Sequence, residues 1–347
     1  GRAGPATGIE NCNRIEFDGA VNVREMERYA GDHGQVALEP DAERPERIAI
    51  VGSGPAGLTA AYHLARLGYG VTVHESGGEI GGLLRTGIPE FRLPEDIVEK
   101  EINRILELGV KVETNHRVDR QTLLDLARDH DGVLVATGLQ EQRGLRLGLD
   151  GTEAVVQGIE FLDHVYRGDV RVDDENVIVI GGGNTAMDAA RSALRLGAAS
   201  VRVVYRRTRD EMPAIPEEID EALKEGVDIE FLIQPVALHE EPTNGIRRHY
   251  RLACRRMELG EPDDSGRRAP VEIEGSDFEI ACNRVILALG QSPDVSVFPE
   301  GTEVREGTQL LGLLAVSYTH LTLPTMSTTW GCGGGGGRGE GGGGGGG

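Results

Sequence analysis

The chain has 347 residues, 39% of them hydrophobic, and a formal net charge of −21; that length suits two domains of ordinary size. The acidic balance argues against nucleic acid and anionic membrane surfaces as partners, and no stretch approaches the ~20 apolar residues of a membrane span. The four cysteines, Cys12, Cys254, Cys282 and Cys332, form no C-x-x-C pair, which excludes a disulfide framework and a thioredoxin-type couple. The text opens on Gly1 with no signal peptide, so a missing amino terminus and a cytoplasmic setting are expected. Lysine occurs only at Lys100, Lys111 and Lys224; Arg-favouring codons account for this, with a salt-adapted surface as the alternative.

In chain order, residues 1–45 form an amino-terminal segment in which Val21 to Tyr29 (VNVREMERY) reads as a helix. Arg47 to Val51 (RIAIV) reads as a short buried parallel strand. Gly52-Ser53-Gly54-Pro55-Ala56-Gly57 follows, then an apolar-periodic helix, then a strand from Val71 to His74 that runs into Glu75. Strand, G-x-G-x-x-G, helix, strand, acid is a dinucleotide fingerprint. Its glycines allow the tight turn, the approach of backbone to pyrophosphate, and the packing of helix on strand. The helix N-terminus offers N–H groups and a positive dipole end to the phosphates. Glu75 stands 18 residues after Gly57, where a carboxylate accepts both hydroxyls of an adenosine ribose. This motif alone does not separate FAD from NAD. The later run Val133 to Gly138 (VLVATG) has the strand-to-glycine form that closes such a half.

After the charged run Asp173-Asp174-Glu175 the pattern repeats. Val177 to Ile180 reads as a strand, and Gly181-Gly182-Gly183-Asn184-Thr185-Ala186 is a loop of G-x-G-x-x-A type. A helix runs on to Leu196, and a strand from Val201 to Val204 ends in Tyr205-Arg206-Arg207. No acid stands at the ribose position. An arginine accommodates a 2′-phosphate, and its planar fork matches phosphate geometry, so NADPH is expected here, held by Arg206 and Arg207. Pairing of the two arginines with Asp210 and Glu211 is the plainer alternative, compatible with the first in an empty site. Val285 to Gly290 (VILALG) reads as the closing strand, with Gly290 beneath the nicotinamide.

Between the two motifs lies Gly77-Gly78-Glu79-Ile80-Gly81-Gly82-Leu83-Leu84, then Gly87-Ile88-Pro89-Glu90-Phe91-Arg92-Leu93-Pro94. The frame GG-x-L-x-x-GIP-x-FRLP resembles the glutamate synthase small (beta) subunit family, which also includes the flavin half of dihydropyrimidine dehydrogenases and related ferredoxin-linked subunits. The resemblance extends over residues 1–314. It implies an α/β fold with two Rossmann-like domains: an FAD domain whose first part covers 46–165, an inserted NADPH domain over 166–290, and a truncated return to the FAD domain over 291–314. It lays Glu75 to Leu83, Gly82 included, and Arg92 along the FAD; a surface ion pair is the other reading of Arg92. It has Thr208 to Ala214 (TRDEMPA) cap the NADPH pocket.

The activity so implied is oxidation of NADPH by FAD, with electrons passed on to a larger catalytic subunit or an electron-acceptor protein. The cofactors carry that chemistry, so no catalytic side chain is expected. Ahead of its first strand the family reads much like GR-x-C-P-x-x-C-E-x-x-C-NR, which supplies iron–sulfur ligands. Here Gly4 and Gly8 take two of those positions and Cys12 alone remains. Since a cluster wants four thiolates or close substitutes, Cys12 is either a remnant of a [4Fe-4S] domain or a partner of cysteines ahead of Gly1. A ferredoxin- or pyrimidine-linked NAD(P)H reductase subunit is the near alternative, and a non-catalytic dinucleotide-binding scaffold or sensor the distant one. From Val316, V-S-Y-T-H-L-T-L-P-T resembles a translated sequencing adapter, and the glycine run after it a translated poly-G read, with a flexible linker as the other reading. Residues 315–347, with Trp330 and Cys332, are therefore expected to carry no function.

Overall fold

The computed structural model describes residues 12–34, 39–149, 151–242, 248–263, 266–298 and 312–314, together with Ile9. The chain divides into two compact units. Of the first, residues 12–34 comprise a 3-10 turn, Asn13–Glu16, and helix α1, Val23–His33. The Asn22 side chain caps α1 by accepting from the Glu25 N–H at 3.2 Å, which satisfies one of the first-turn donors. The reading of residues 315–347 as adapter and poly-G falls outside the described residues.

The second unit contains two parallel sheets. The first is built from β1 (Arg47–Val51), α2 (Pro55–Arg66), β2 (Gly70–His74), α3 (Leu83–Thr86), α4 (Glu95–Leu106), β3 (Lys111–Glu113), α5 (Arg120–Asp129) and β4 (Gly132–Val135), followed by the short β5 (Glu141–Gln142). The second is built from β6 (Val155–Gln157), α6 (Gly158–Arg167), β7 (Asn176–Ile180), α7 (Asn184–Arg195), β8 (Ser200–Tyr205), α8 (Pro216–Glu225) and β9 (Asp228–Phe231). Three long antiparallel strands follow, β10 (Ile233–Glu241), β11 (His249–Pro262) and β12 (Arg268–Cys282), and then β13 (Arg284–Leu287), β14 (Gln291–Ser292) and β15 (Gly312–Leu314).

The strand orders are β15-β4-β1-β2-β3 and β6-β13-β7-β8-β9. In the first sheet the chain leaves β1 toward β2 and β3 and returns on the other side at β4; in the second it leaves β7 toward β8 and β9 and returns at β13, so a topological switch point lies at β1/β4 and at β7/β13. Ligands of open parallel sheets bind outside the carboxyl ends of the strands at such points. Both β1 and β7 are buried after their first residue, as continuous apolar strands covered on two faces should be.

The second sheet is covered differently on its two sides. Val177 and Val179 pack with Phe161, Met187, Ala190 and Ile219 of the helices. Ile178 and Ile180 point the other way and pack with Ile233, Leu238, Tyr250, Leu252 and Cys254 of the antiparallel strands. No motif in the sequence marks these three strands, which close this face of the second sheet.

The second sheet also begins earlier than residue 166. Val155, Val156 and Gln157 pair with Val285, Ile286 and Leu287 of β13, so β6 and α6 belong with it. A three-residue apolar run carries no sign of which sheet it will join. After β14 the chain returns to the first sheet: Val297 and Phe298 pack with Ala49, Val51, Leu123 and Val133, and the β15 backbone pairs antiparallel with β4. Among the described residues no helix is long and apolar enough to cross a membrane.

Candidate cofactor sites

The glycine loops sit at the carboxyl ends of β1 and β7, and in each loop the glycines do different work. Gly52 has φ +102°, and a Cβ there would meet the Ala136 carbonyl oxygen at 2.4 Å. A Cβ on Gly57 would lie 1.9 Å from the Gly52 oxygen. These two serve the turn and the packing of α2. The middle glycine, Gly54, has nothing within 4 Å of such a Cβ. That open space faces the end of α2, which starts at Pro55 and leaves first-turn N–H groups for an anion. Gly82, at φ +52° and ψ −134°, brings a second glycine loop over the first; its Cβ would stand 3.0 Å from the Gly54 Cα. Two bare backbones therefore form a cradle of the shape a pyrophosphate requires. Leu83 begins α3 beside it and is partly exposed.

Glu75 is fastened to the same loop. Its Oε2 accepts from the Ser53 N–H at 2.9 Å and the Ser53 hydroxyl at 2.5 Å; its Oε1 accepts from the Gly77 N–H at 2.7 Å and the Ser76 hydroxyl at 3.2 Å. Ser53 is fully buried, and its Oγ also accepts from the Gly81 N–H at 3.1 Å. Burial pushes the Glu75 carboxyl up, but the Gly77 N–H, the two Ser53 donors and Ser76 together hold it below the usual carboxylate range. The acid stays ionised beside the glycine cradle.

The second loop repeats the scheme. Gly181, at φ +143°, would clash with the Ala288 oxygen at 2.2 Å if it carried a Cβ, and Gly182 would meet the Tyr205 ring at 2.6 Å. Gly183 again faces free space, its nearest neighbour being Pro213 at 4.0 Å. Asn184 accepts from the Ile215 N–H at 2.9 Å, tying the loop to the start of α8. Thr185 approaches Gly158 of α6, and Ala186 is fully buried under α7. Thr208 to Glu211 forms a capping box on a 3-10 turn, and the Tyr205 hydroxyl donates to the Glu211 oxygen at 2.8 Å.

The two arginines after β8 part company. Arg206 is exposed beside the loop. Arg207 is 3% exposed, and its guanidinium donates to the Arg268 carbonyl at 2.7 Å and to Asp263 at 2.5 Å. It fastens β8 to the antiparallel strands, and its partner is Asp263 rather than Asp210 or Glu211. Gly290, at φ +96°, has open space around it at the end of β13. Beside β6 and the end of β13 lies a cavity of about 570 Å³ lined by Arg146, Gln157, Glu160 and Leu287 among others, residues that sequence motifs did not single out.

The Arg92 guanidinium is engaged in an ion-pair network within the protein. The residue lies between α3 and α4 and reaches into the second sheet's helices, with Nη1 at 2.6 Å from Asp188 and Nε at 2.9 Å from Glu218. Phe91 beside it lies under the guanidiniums of Arg191 and Arg195 at 4.6 and 4.1 Å. Arg191 continues the network to Glu218 and Glu225. The FRLP segment thus bridges the two sheets' helices, and its ion partners Asp188 and Glu218, 96 and 126 residues further along the chain, gave no local signal.

Residues 46–304 match the family model described as pyridine nucleotide-disulphide oxidoreductase. The chain belongs to that family. It is similar to the NADP(+)-dependent formate dehydrogenase subunit beta of Moorella thermoacetica, at 40% identity over 86% of this chain and 46% of the relative. It is also similar to a putative glutamate synthase [NADPH] small chain of Cereibacter sphaeroides, at 38% identity over 80% of this chain and 69% of the relative. A Mycobacterium tuberculosis FprA structure in complex with NADPH shares the fold, with TM-score 0.58 and 21% identity over 72% of this chain and 71% of that one. The chain spans about half the length of the first of these relatives.

The disulphide of the family's title finds no partner in the described thiols. Cys12, Cys254 and Cys282 are free. Burial pushes the Cys254 and Cys282 thiols up to about 12, which leaves them protonated and unreactive. Cys12 accepts from the Val21 N–H at 3.4 Å, and that bond lowers its thiol from the ordinary value. A single thiol does not make a cluster site.

Proposed function

We propose that this chain is the flavoprotein part of an NADPH-oxidising subunit of the glutamate synthase small-chain type. FAD takes the first cradle, with Gly52, Ser53, Gly54, Pro55, Ala56 and Gly57 along its pyrophosphate, Glu75 on its adenosine ribose and Gly82 and Leu83 above. NADPH takes the second, with Gly181, Gly182, Gly183, Asn184, Thr185 and Ala186 at its pyrophosphate and Arg206 at the 2′-phosphate. The observation that carries the reading is the pair of glycine cradles, each open above its middle glycine, one held to an ionised acid and the other followed by an exposed arginine.

When bound, the two dinucleotides supply hydride transfer from nicotinamide to flavin and onward release of electrons. The chain's own residues position and screen. The α2 and α7 amino termini and their bare loops neutralise phosphate charge. Glu75 holds the flavin's adenosine end by accepting hydroxyl protons. Gly290, with nothing within 4 Å of a Cβ there, permits close approach of the nicotinamide. The Phe91–Arg92 bridge fixes the spacing between the two cradles, and a misplacement of about 1 Å can cost roughly a hundredfold in rate. The electron acceptor is proposed to be a larger partner subunit, as the names of the curated relatives suggest for those proteins.

The test is anaerobic titration of the FAD-reconstituted full chain with NADPH. Bleaching of the flavin absorbance in proportion to added NADPH is expected, with NADH far less effective. A flavin that binds but is not bleached would leave only the scaffold reading.

A further inference from the structure

On the far side of Glu75 from its serine lies a cluster that cofactor binding does not use. His74 ends β2, Glu113 ends β3, and His116 follows one turn later. Asn115, at φ +54°, takes the left-handed conformation that turns the chain back, and its N–H donates to the Gly77 oxygen at 2.8 Å. The Glu113 Oε2 lies 3.2 Å from His74 Nδ1 and 3.0 Å from His116 Nδ1, and one donor atom from each residue falls within 4.8 Å of the other two. His74 is 4% exposed; its Nδ1 faces the Glu113 carboxylate, while its Nε2 has no hydrogen-bond partner. A buried imidazole nitrogen left unsatisfied is costly unless something else engages it. The second imidazole stands edge-on to the first, with ring centroids 4.9 Å apart.

We propose that His74, Glu113 and His116 form a binding site for a borderline transition ion, Zn²⁺ being the type case. Two imidazoles and one carboxylate are a ligand set suited to such ions and not to Ca²⁺ or Mg²⁺, which want oxygen. With metal–ligand bonds of about 2.0–2.1 Å, the edge of a tetrahedron is roughly 3.3 Å, close to two of the three separations already present; His116 on its exposed turn supplies the remaining closure. Three protein ligands leave the fourth position to water. The ion joins the ends of β2 and β3 to the turn after β3. Glu75 lies within that frame, since its N–H donates to the Glu113 oxygen and its own oxygen accepts from the His116 N–H, both at 2.8 Å. The site does not depend on the cofactor assignment.

The test uses the EDTA-treated full chain with Co²⁺ as the spectroscopic probe and Zn²⁺ as its competitor. One equivalent of Co²⁺ should bind with a ligand-field absorption of tetrahedral intensity, and Zn²⁺ should displace it and raise the unfolding temperature. Glu113→Gln and His116→Ala alter an exposed and a half-buried side chain and should fold normally; each should weaken binding by more than roughly tenfold and abolish the Zn²⁺ effect on unfolding. Failure of the full chain to bind Co²⁺ in this form would overturn the proposal. So would binding that both variants leave unchanged, which would place the ion elsewhere.

Discussion

Removing the Arg92 charge while keeping its stem, as in Arg92→Met, should destabilise the protein in a pH-dependent way. Asp188 is 3% exposed and bonded to Arg92. Burial pushes its carboxyl up to about 6 even though the Arg92 charge opposes the shift. An unfolded Asp sits near 3.9, so the native fold already bears about 3 kcal/mol of ionisation cost above pH 6. Because the folded state binds this proton more tightly than the unfolded one, native stability declines as pH rises from about 4 to about 6, then levels. Without Arg92 the folded value climbs further, and the decline continues above 6 at about 1.4 kcal/mol per pH unit. The variant's extra loss should be below about 1 kcal/mol at pH 6 and about 3 kcal/mol at pH 8, within the range for breaking a buried pair. Urea unfolding of the flavin-free full chain, followed by circular dichroism at both pH values, measures this. A loss that is flat in pH would refute the reasoning. So would normal stability combined with depleted flavin, which would return Arg92 to the FAD.

Three further outcomes are expected. Arg206→Ala should weaken kcat/KM for NADPH by about 1.5–3 kcal/mol while sparing NADH, whereas Arg207→Ala should lower the unfolding temperature and leave the NADPH-to-NADH ratio unchanged; the reverse pattern would exchange their roles. Gly54→Ala should fold with its native unfolding temperature but load FAD poorly, while Gly57→Ala, whose Cβ would meet a carbonyl at 1.9 Å, should lose at least about 1–3 kcal/mol of stability; equal unfolding temperatures would contradict the packing. Glu75→Gln should purify depleted in flavin yet bind NADPH. Since the Glu75 carboxyl is held below its usual value, its stabilising contribution is present above about pH 4.3 and is lost only as pH falls through the lower folded value. Fluorescence-detected flavin release that begins above pH 5 would argue against Glu75 as the ribose ligand.

Local signals were strong where function rests on backbone shape. Only glycine permits the turns at Gly52 and Gly181 or the bare faces at Gly54 and Gly183, so composition alone marked both cradles, and the acid at Glu75 followed from spacing along one β-α-β unit. Contacts between segments far apart in the chain were not legible. That Val155–Gln157 joins the second sheet depends on a partner, β13, more than a hundred residues later. Arg206 and Arg207 look equivalent as letters; β8 turns one outward and buries the other against Asp263. Arg92 reads as a flavin ligand until Asp188 and Glu218 are brought to it by the packing of α7 and α8. The His74–Glu113–His116 cluster likewise exists only because parallel pairing sets His74 opposite Glu113. Residue types and spacing determined the two dinucleotide cradles because each is a local backbone device. The tertiary structure decided which charges face a ligand and which face each other, because that depends on burial and on partners that sequence distance conceals.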